Sequence, residues 1–310
     1  MNPPVVVGSA SRDLTTDDPR GWRLGGAATY GALTLGRLGL MPRLLLGVDE
    51  AASRAEELEW LRAAGVDLVL VRLREVPVFT NAETPTGRIQ RCEAPGIRLP
   101  PEALPPDWSS SGAWMLVPVM DELGDSWARV PPDTAFVALG WQGLLRTLGP
   151  DAIVKRRPPR ASALTKRARL VGLSRNDLGA SQADAGLLSC LTAPVTLAIT
   201  DGPNGGRVLA VGSDRHRTER RYPAITAEVV ADLTGAGDAF LAGLVAGVLG
   251  HPLAGSARRG TDIRLAAALG SLVIERPGLS GVPTIAEVAE RLRRSLTMPA
   301  PSGHRAATPD

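Results

Sequence analysis

The stretch Asp232-Leu233-Thr234-Gly235-Ala236-Gly237-Asp238-Ala239-Phe240 opens a run of small and apolar residues that continues to Leu249. Two glycines ahead of such a run predict a loop feeding a helix over 236–249. The amides at a helix start carry partial positive charge and point outward, so they bind anions. Without side chains at 235 and 237, a phosphate could approach the backbone closely. A carboxylate at 238, on the first turn, would repel that phosphate unless it served a purpose, such as taking a proton from an attacking hydroxyl. The plainer reading makes Asp238 an ordinary charge complement of a helix N-terminus. For an isolated Gly-x-Gly-Asp the plainer reading prevails, so the decision rests on what surrounds it.

Working outward, short apolar runs alternate with stretches of helical periodicity. Strands are expected at Val5–Val7, Arg43–Gly47, Leu68–Leu73, Met115–Pro118, Ala135–Leu139, Leu170–Gly172 and Thr196–Thr200. Helices are expected at 27–39, 50–64, 142–148, 176–192, 236–249, 262–274 and 284–296. The strand runs are rich in Val and Leu rather than alternating, as in strands covered on both faces. This pattern predicts an α/β fold, a doubly wound and mostly parallel sheet with helices on both faces. Ligands of such sheets sit at the carboxyl ends of the strands. Residues 72–99 break the rhythm as two extended pieces around a turn. They could stand off the sheet as a cover for a ligand, or be a plain surface excursion. Residues 1–296 are expected to form one domain, and the Pro-rich segment 297–310 a disordered tail.

With its neighbours, Asp232-x-Thr-Gly-Ala-Gly-Asp-Ala-Phe resembles the signature of the ribokinase (PfkB) family of carbohydrate kinases. Other pieces follow in the family's order. Gly25-Gly26-Ala27-Ala28-Thr29-Tyr30 resembles the Gly-Gly signature that approaches the substrate, and Asp13 matches the acid that holds substrate hydroxyls. Ser174-Arg175-Asn176-Asp177 resembles the motif involved in magnesium–phosphate binding. Thr200-Asp201-Gly202-Pro203-Asn204-Gly205-Gly206 resembles the turn that meets ATP phosphates. The segment from Ala266-Ala267 through Gly270 to Gly278 resembles the helix and loop beside the adenine. Each piece has a bland account: Gly25-Gly26 as close packing, Asp13 as a turn residue, Asp177 as a helix start, Thr200 to Gly206 as a hairpin turn.

The resemblance implies a ribokinase-like fold and an ATP- and Mg²⁺-dependent transfer to a hydroxyl. Asp238 would be the base, and the amides of Gly235, Ala236 and Gly237 the anion hole. Asp177 would meet Mg²⁺ through water. Thr200, Gly202, Gly205, Ala267 and Gly270 would contact the nucleotide. It also implies a possible K⁺ or Na⁺ site at Asp232 and the Gly278 loop.

Two departures bear on the substrate. Tyr30 stands where sugar kinases of the family usually carry Asn, either as a ligand contact or as core. Only eleven residues separate Asp13 from Gly25, and they read as a turn-rich loop, so the β lid is expected to be reduced, leaving mainly the 72–99 hairpin. A short lid with Gly-Gly-Ala-Ala-x-aromatic is most similar to the myo-inositol kinase branch. Asp13, Gly25, Gly26, Asn81, Arg88 and Gln90 would then surround the polyol. Nucleoside kinases, which stack a base on aromatics, are the competing substrate class, with Trp22, Tyr30 and Phe79 as candidates. A non-catalytic relative that only binds ligand would not need Asp238.

Composition narrows the field. The chain has 310 residues, 44% apolar and 22% charged, with formal charge +3. No basic block interleaves with aromatics, so nucleic-acid binding is not expected. Cys92 and Cys190 are far apart and three histidines are scattered, against a disulfide scaffold or zinc site. Neither a leader nor an 18–20-residue apolar span is evident; a cytoplasmic location away from membranes is expected. Monomer and dimer are left open.

Overall fold

The computed structural model describes residues 3–84, 87–179, 182–254 and 263–297. The chain begins with β1 (Val5–Ser9), fully buried, and passes through Ala10 into β2 (Ser11–Leu14), which turns back as β3 (Trp22–Gly25). Helix α1 (Ala27–Arg37) follows at once and buries every residue from Ala27 to Gly36. β4 (Arg43–Val48), α2 (Glu57–Ala63) and β5 (Asp67–Arg72) complete one wing. A long hairpin, β6 (Pro77–Thr84) and β7 (Gly87–Pro95), precedes β8 (Ala113–Leu116) and β9 (Phe136–Gly140). Then come the short hairpin β10 (Arg146–Leu148) and β11 (Val154–Arg156), α3 (Ala163–Arg167), β12 (Leu170–Ser174) and α4 (Asp184–Leu188). The remainder is β13 (Val195–Thr200), β14 (Gly206–Val211), β15 (Arg217–Tyr222), α5 (Ala236–Val248), α6 (Ile263–Val273) and α7 (Ile285–Thr297).

Nine strands form the main sheet, in the order β15-β14-β13-β12-β9-β8-β1-β4-β5. From β13 to β5 every pairing is parallel; β14 and β15 close one edge antiparallel. All seven expected strands lie in it. Alternate residues feed two cores: Val6, Leu44 and Met115 face α1, α5 and α6, while Val5, Leu45 and Trp114 join Trp127 and Trp141 on the other face. The chain leaves β1 toward β4 on one side and returns to β8 on the other. β1 is therefore the switch point, where an open α/β sheet leaves a crevice for ligands. Glu122 ties that point together: its buried carboxylate accepts the N–H groups of Ser9, Val119 and Met120 at 2.8–3.2 Å, and burial pushes its pKa up.

Four expectations are corrected. The interval between Asp13 and Gly25 is not a plain loop. It holds the rest of β2 and most of β3, and a second sheet of four strands, β3-β2-β6-β7, stands over the crevice. The lid is thus not reduced to one hairpin. Its inner strands are only four residues each, too short to show an alternation in sequence. The helix expected at 142–148 is a 3₁₀ turn, Gln142–Leu145, running into β10, because Arg146 to Leu148 pair with Val154 to Arg156. The helix expected at 176–192 shrinks to a 3₁₀ turn at Arg175–Asp177 and to α4. There Ser174 and Asp177 cap one another in a tight turn. The helix expected over 50–64 likewise divides into a 3₁₀ turn, Ala52–Arg54, and α2. Of the expected tail, Thr297 ends α7 and the rest lies outside the described residues.

Replacing Glu122 by Ala is expected to strand three buried N–H donors and lower unfolding stability by about 2–3 kcal/mol, read by urea denaturation.

Candidate active site

The backbone places α5 at the mouth of the crevice. Gly235 takes the left-handed conformation at φ 83° and forms the N-cap. A Cβ there would lie 2.3 Å from ring atoms of Tyr30, so glycine is required for conformation and space alike. The first helical bond runs from the Ala239 N–H to Gly235 O. The amides of Ala236, Gly237 and Asp238 therefore precede the helical ladder, as at any helix start. A Cβ on Gly237 would meet nothing within 4 Å, so that side of the helix start is open.

Asp238 stands on the first turn, half-buried. Burial raises its carboxyl to about 6; Arg146 opposes that shift, while Asp177 and Asp13 add to it. Asp13 comes from β2, three residues past Ala10. Its Oδ1 accepts from Ser11 Oγ at 3.0 Å, and a Cβ on Gly25 would lie 2.4 Å from its Oδ2. Gly25 thus makes room for the acid. Gly26, at φ 105°, turns the chain into α1, and Thr29 Oγ1 donates to both glycine carbonyls.

Strand register decides which lid residues look into the crevice. Asp13 pairs with Phe79, Phe79 with Cys92, and Asn81 with Gln90. Residues directly opposite share a face, and so do residues two apart. Asp13, Phe79, Asn81, Gln90 and Cys92 therefore lie on one face, and Gln90 Nε2 donates to Asn81 Oδ1 at 2.9 Å. Arg88 holds a register position on that face opposite Glu83; its side chain lies outside the described residues. Trp22 pairs with Leu14 on the other face, where the guanidiniums of Arg20 and Arg12 lie 4.8 and 5.8 Å from its ring centre.

Asp177 follows β12. Its Oδ2 accepts the Ser174 N–H at 2.8 Å and its Oδ1 accepts from Gln142 Nε2 at 3.2 Å. One donor per oxygen leaves each able to accept from water, which fits an outer-sphere partner of Mg²⁺. Asp232 Oδ1 accepts from Thr234 N–H at 2.9 Å and Oδ2 from Gly278 N–H at 3.1 Å, clamping the approach to α5 onto the 278 loop. Among the described residues, no group of three or more His, Cys, Asp or Glu could hold a metal.

The Thr200 to Gly206 turn lies at the end of β13. Gly202 and Gly205 have positive φ, 51° and 82°, and Asp201 N–H donates to Gly205 O at 2.8 Å. Tyr222 joins the turn to α5: its ring stacks on Phe240 at 5.5 Å, and Gly205 and Gly206 abut it closely enough that a Cβ on either would clash. On α6, Ala267 and Gly270 sit one turn apart and half-exposed; a Cβ on Gly270 would lie 3.3 Å from Ala236 O. Gly270 thus lies beside the start of α5.

Two participants, Gln142 and Arg146, were not singled out from sequence, and a third, Tyr30, was left open between ligand contact and core. Gln142 orients Asp177. Arg146 puts its guanidinium 5.8 Å from the Phe79 ring centre and donates to Val119 O at 3.4 Å. Tyr30, 1% exposed, is core, yet its hydroxyl is buried without a hydrogen-bond partner. Burial foremost, then Asp13, Asp232 and Asp238, hold that phenol protonated. Only for Tyr30 was there a sequence signal, an aromatic where a carboxamide is usual.

Residues 173–285 match the model of the pfkB family of carbohydrate kinases. No curated protein matches the chain. Among solved structures, a pyrophosphate-dependent kinase of the ribokinase family, complexed with a pyrophosphate analog and myo-inositol, is 16% identical with a TM-score of 0.70; the match covers 93% of this chain and 99% of that one. Fructokinase with bound ATP from Xylella fastidiosa is 19% identical (TM-score 0.69, 96% and 100% covered). The nucleoside kinase of Methanocaldococcus jannaschii is 19% identical (TM-score 0.67, 94% and 98% covered). The chain thus has the ribokinase-like fold and carries, over residues 173–285, the pfkB carbohydrate-kinase signature, that of phosphotransferases with a hydroxyl acceptor. No described helix is long and apolar enough to cross a membrane.

The two glycines should fail differently. Gly235→Ala meets the Tyr30 ring and is expected to lose several degrees of Tm. Gly237→Ala adds a good helix former in open space, so it should keep or raise Tm while weakening phosphate-donor binding by calorimetry.

Proposed function

We propose that the protein transfers a phosphoryl group from ATP to a hydroxyl of a sugar or cyclitol, with myo-inositol the favoured acceptor. The observation that carries the transfer is Asp238 on the first turn of α5, beside amides whose approach at Gly237 is open. Phosphoryl transfer asks for positioning and charge neutralisation more than covalent chemistry. Asp238 takes the proton of the acceptor hydroxyl. The amides of Gly235, Ala236 and Gly237 hold the charge that builds on the transferred group. Thr200, Gly202 and Gly205 carry the donor phosphates, with Ala267 and Gly270 flanking the nucleotide along α6.

Bound Mg²⁺ would neutralise donor phosphate charge, held through water by Asp177. A monovalent cation would belong where Asp232 meets the Gly278 loop. The acceptor lies between Asp238 and the lid face bearing Asp13, Asn81 and Gln90, with Gly25 and Gly26 at its floor and Arg88 at the lid's outer end.

A polyol is favoured over a nucleoside by the aromatics. Tyr30 is buried against Gly235, Trp22 is turned to the other lid face between two arginines, and Phe79 lies beneath Arg146. None of the three offers an open ring to a base. The site is instead rich in groups that accept from hydroxyls. Donor consumption by the full chain, with ATP and with pyrophosphate, is to be compared across myo-inositol, ribose, fructose, fructose phosphates and nucleosides. Myo-inositol is expected to turn over best. A preferred nucleoside would overturn the cyclitol assignment, and turnover of none would favour a non-catalytic binder.

Asp238→Asn should lower kcat by about 10²–10⁴-fold. Because the base works ionised, kcat/KM of the unaltered protein should rise through pH 6 and level above it. The raised pKa also means that folding favours the neutral carboxyl. Asp238's stability contribution is full below its unfolded value of 3.8 and is lost as pH rises through about 6. The inactive Asp238→Asn protein should therefore have the higher Tm at pH 8 and lose that advantage near pH 4.

A further inference from the structure

The β10–β11 hairpin has no part in the main sheet, and its placement has a consequence for Asp238. It is moored to the outer strand of the lid. Ile153 bridges Arg91, Cys92 N–H donates to Ala152 O at 2.8 Å, and Arg91 Nη2 donates to Asp151 O at 2.8 Å. The hairpin thus extends the lid sheet beyond β7. Its first residue, Arg146, reaches back beneath that sheet to Phe79, the register partner of Asp13. The guanidinium lies between the lid's inner face and the Val119 carbonyl, which follows β8 at the switch point.

The charges around Asp238 come from four directions. Asp13 on β2 and Asp177 after β12 are like charges, Tyr30 on α1 is held as a neutral phenol, and Arg146 is, among the described residues, the cation that opposes the rise at the carboxyl. Arg146 also faces Cys92, whose thiol burial pushes up to about 11 against the pull of that guanidinium. We infer that Arg146 is a positioning residue for the phosphoryl-transfer centre, delivered to Asp238 by a hairpin that belongs to the lid. Resting on the proposed kinase reading, its role is to keep Asp238 ionised among like charges. The lid and the charge that activates the base are then one body, so displacing the lid removes the cation along with the cover.

The test separates this role from the kinase reading. Carboxyl ¹³C titrations of the full chain, without substrate, are run on the unaltered protein, Arg146→Gln and Arg146→Lys, with the Asp238 signal assigned from its loss in Asp238→Asn. Arg146→Gln is expected to raise the Asp238 midpoint by about one unit or more, and Arg146→Lys to return it. In turnover, the acid limb of kcat/KM should move by the same amount. A midpoint that stays in place in folded Arg146→Gln overturns the inference, whatever happens to activity. A midpoint that moves in a protein phosphorylating none of the acceptors upholds Arg146 and removes the kinase reading. Should Arg146→Gln not fold, Phe79→Leu takes away the ring under the guanidinium; its midpoint should move the same way, and an unmoved one overturns the inference.

Discussion

A phenol ring occupies the space where a side chain at 235 would be, and the centre is organised around that contact. Gly235 can adopt its left-handed turn because it has no Cβ, and the turn is held in one place because Tyr30 fills the gap. Tyr30 in turn is fixed by α1, which is buried along ten successive residues directly after Gly25 and Gly26. The start of α5, and with it the direction of its free amides, is therefore set by the helix that begins at the lid's root. In the proposed reaction the same contact aligns acceptor and donor: one end of the linkage makes room for Asp13, the other bears Asp238. An amide array is useful only if it is rigid before charge develops. Here rigidity comes from packing.

Much of this was legible in the sequence, for a physical reason. The parallel strands are buried on both faces, so they appear as unbroken Val/Leu runs, and all seven were found. The helix start at 235–238 was legible because glycine at such a turn has few substitutes. What escaped detection shares another property: it takes its identity from pairing and carries no apolar run of its own. β2 and β3 gain their identity only by pairing with each other and with β6. β15 is an exposed edge written Arg-Thr-Glu-Arg-Arg-Tyr, with no apolar run to announce it. β10 hides behind a 3₁₀ turn rich in helix formers. Arg146, one arginine among many, carries no local mark; only the fold sets it against Phe79.

The lid correction alters how the acceptor pocket is understood. A single hairpin would leave Asp13 on a loop. In a four-stranded sheet Asp13 is instead an internal rung, in register with Phe79 on one side and Arg23 on the other. An acid on a strand between two neighbours is held in direction, which suits recognition of one hydroxyl among several chemically similar ones. The Asn81–Gln90 pair has the same character. Each amide uses one group on the other, which keeps the remaining donors and acceptors aimed along the strand face.

The electrostatics then favour an uncharged, hydroxyl-rich acceptor. Asp13, Asp177 and Asp238 act on one another, with Arg146 the opposing cation among the described residues, so an anionic group seated between those three carboxylates would meet repulsion. Hydroxyl groups meet none. They donate to carboxylates, and the one facing Asp238 is also the one whose proton is most easily removed as that base ionises. In the proposed reaction the donor's phosphates need the opposite environment, which the amides of α5 and the Gly202–Gly205 turn would supply. One residue thus stands on the boundary between a region that attracts hydroxyls and a region that attracts phosphate. On the proposed reading, that position, more than any single contact, would make Asp238 the point of transfer.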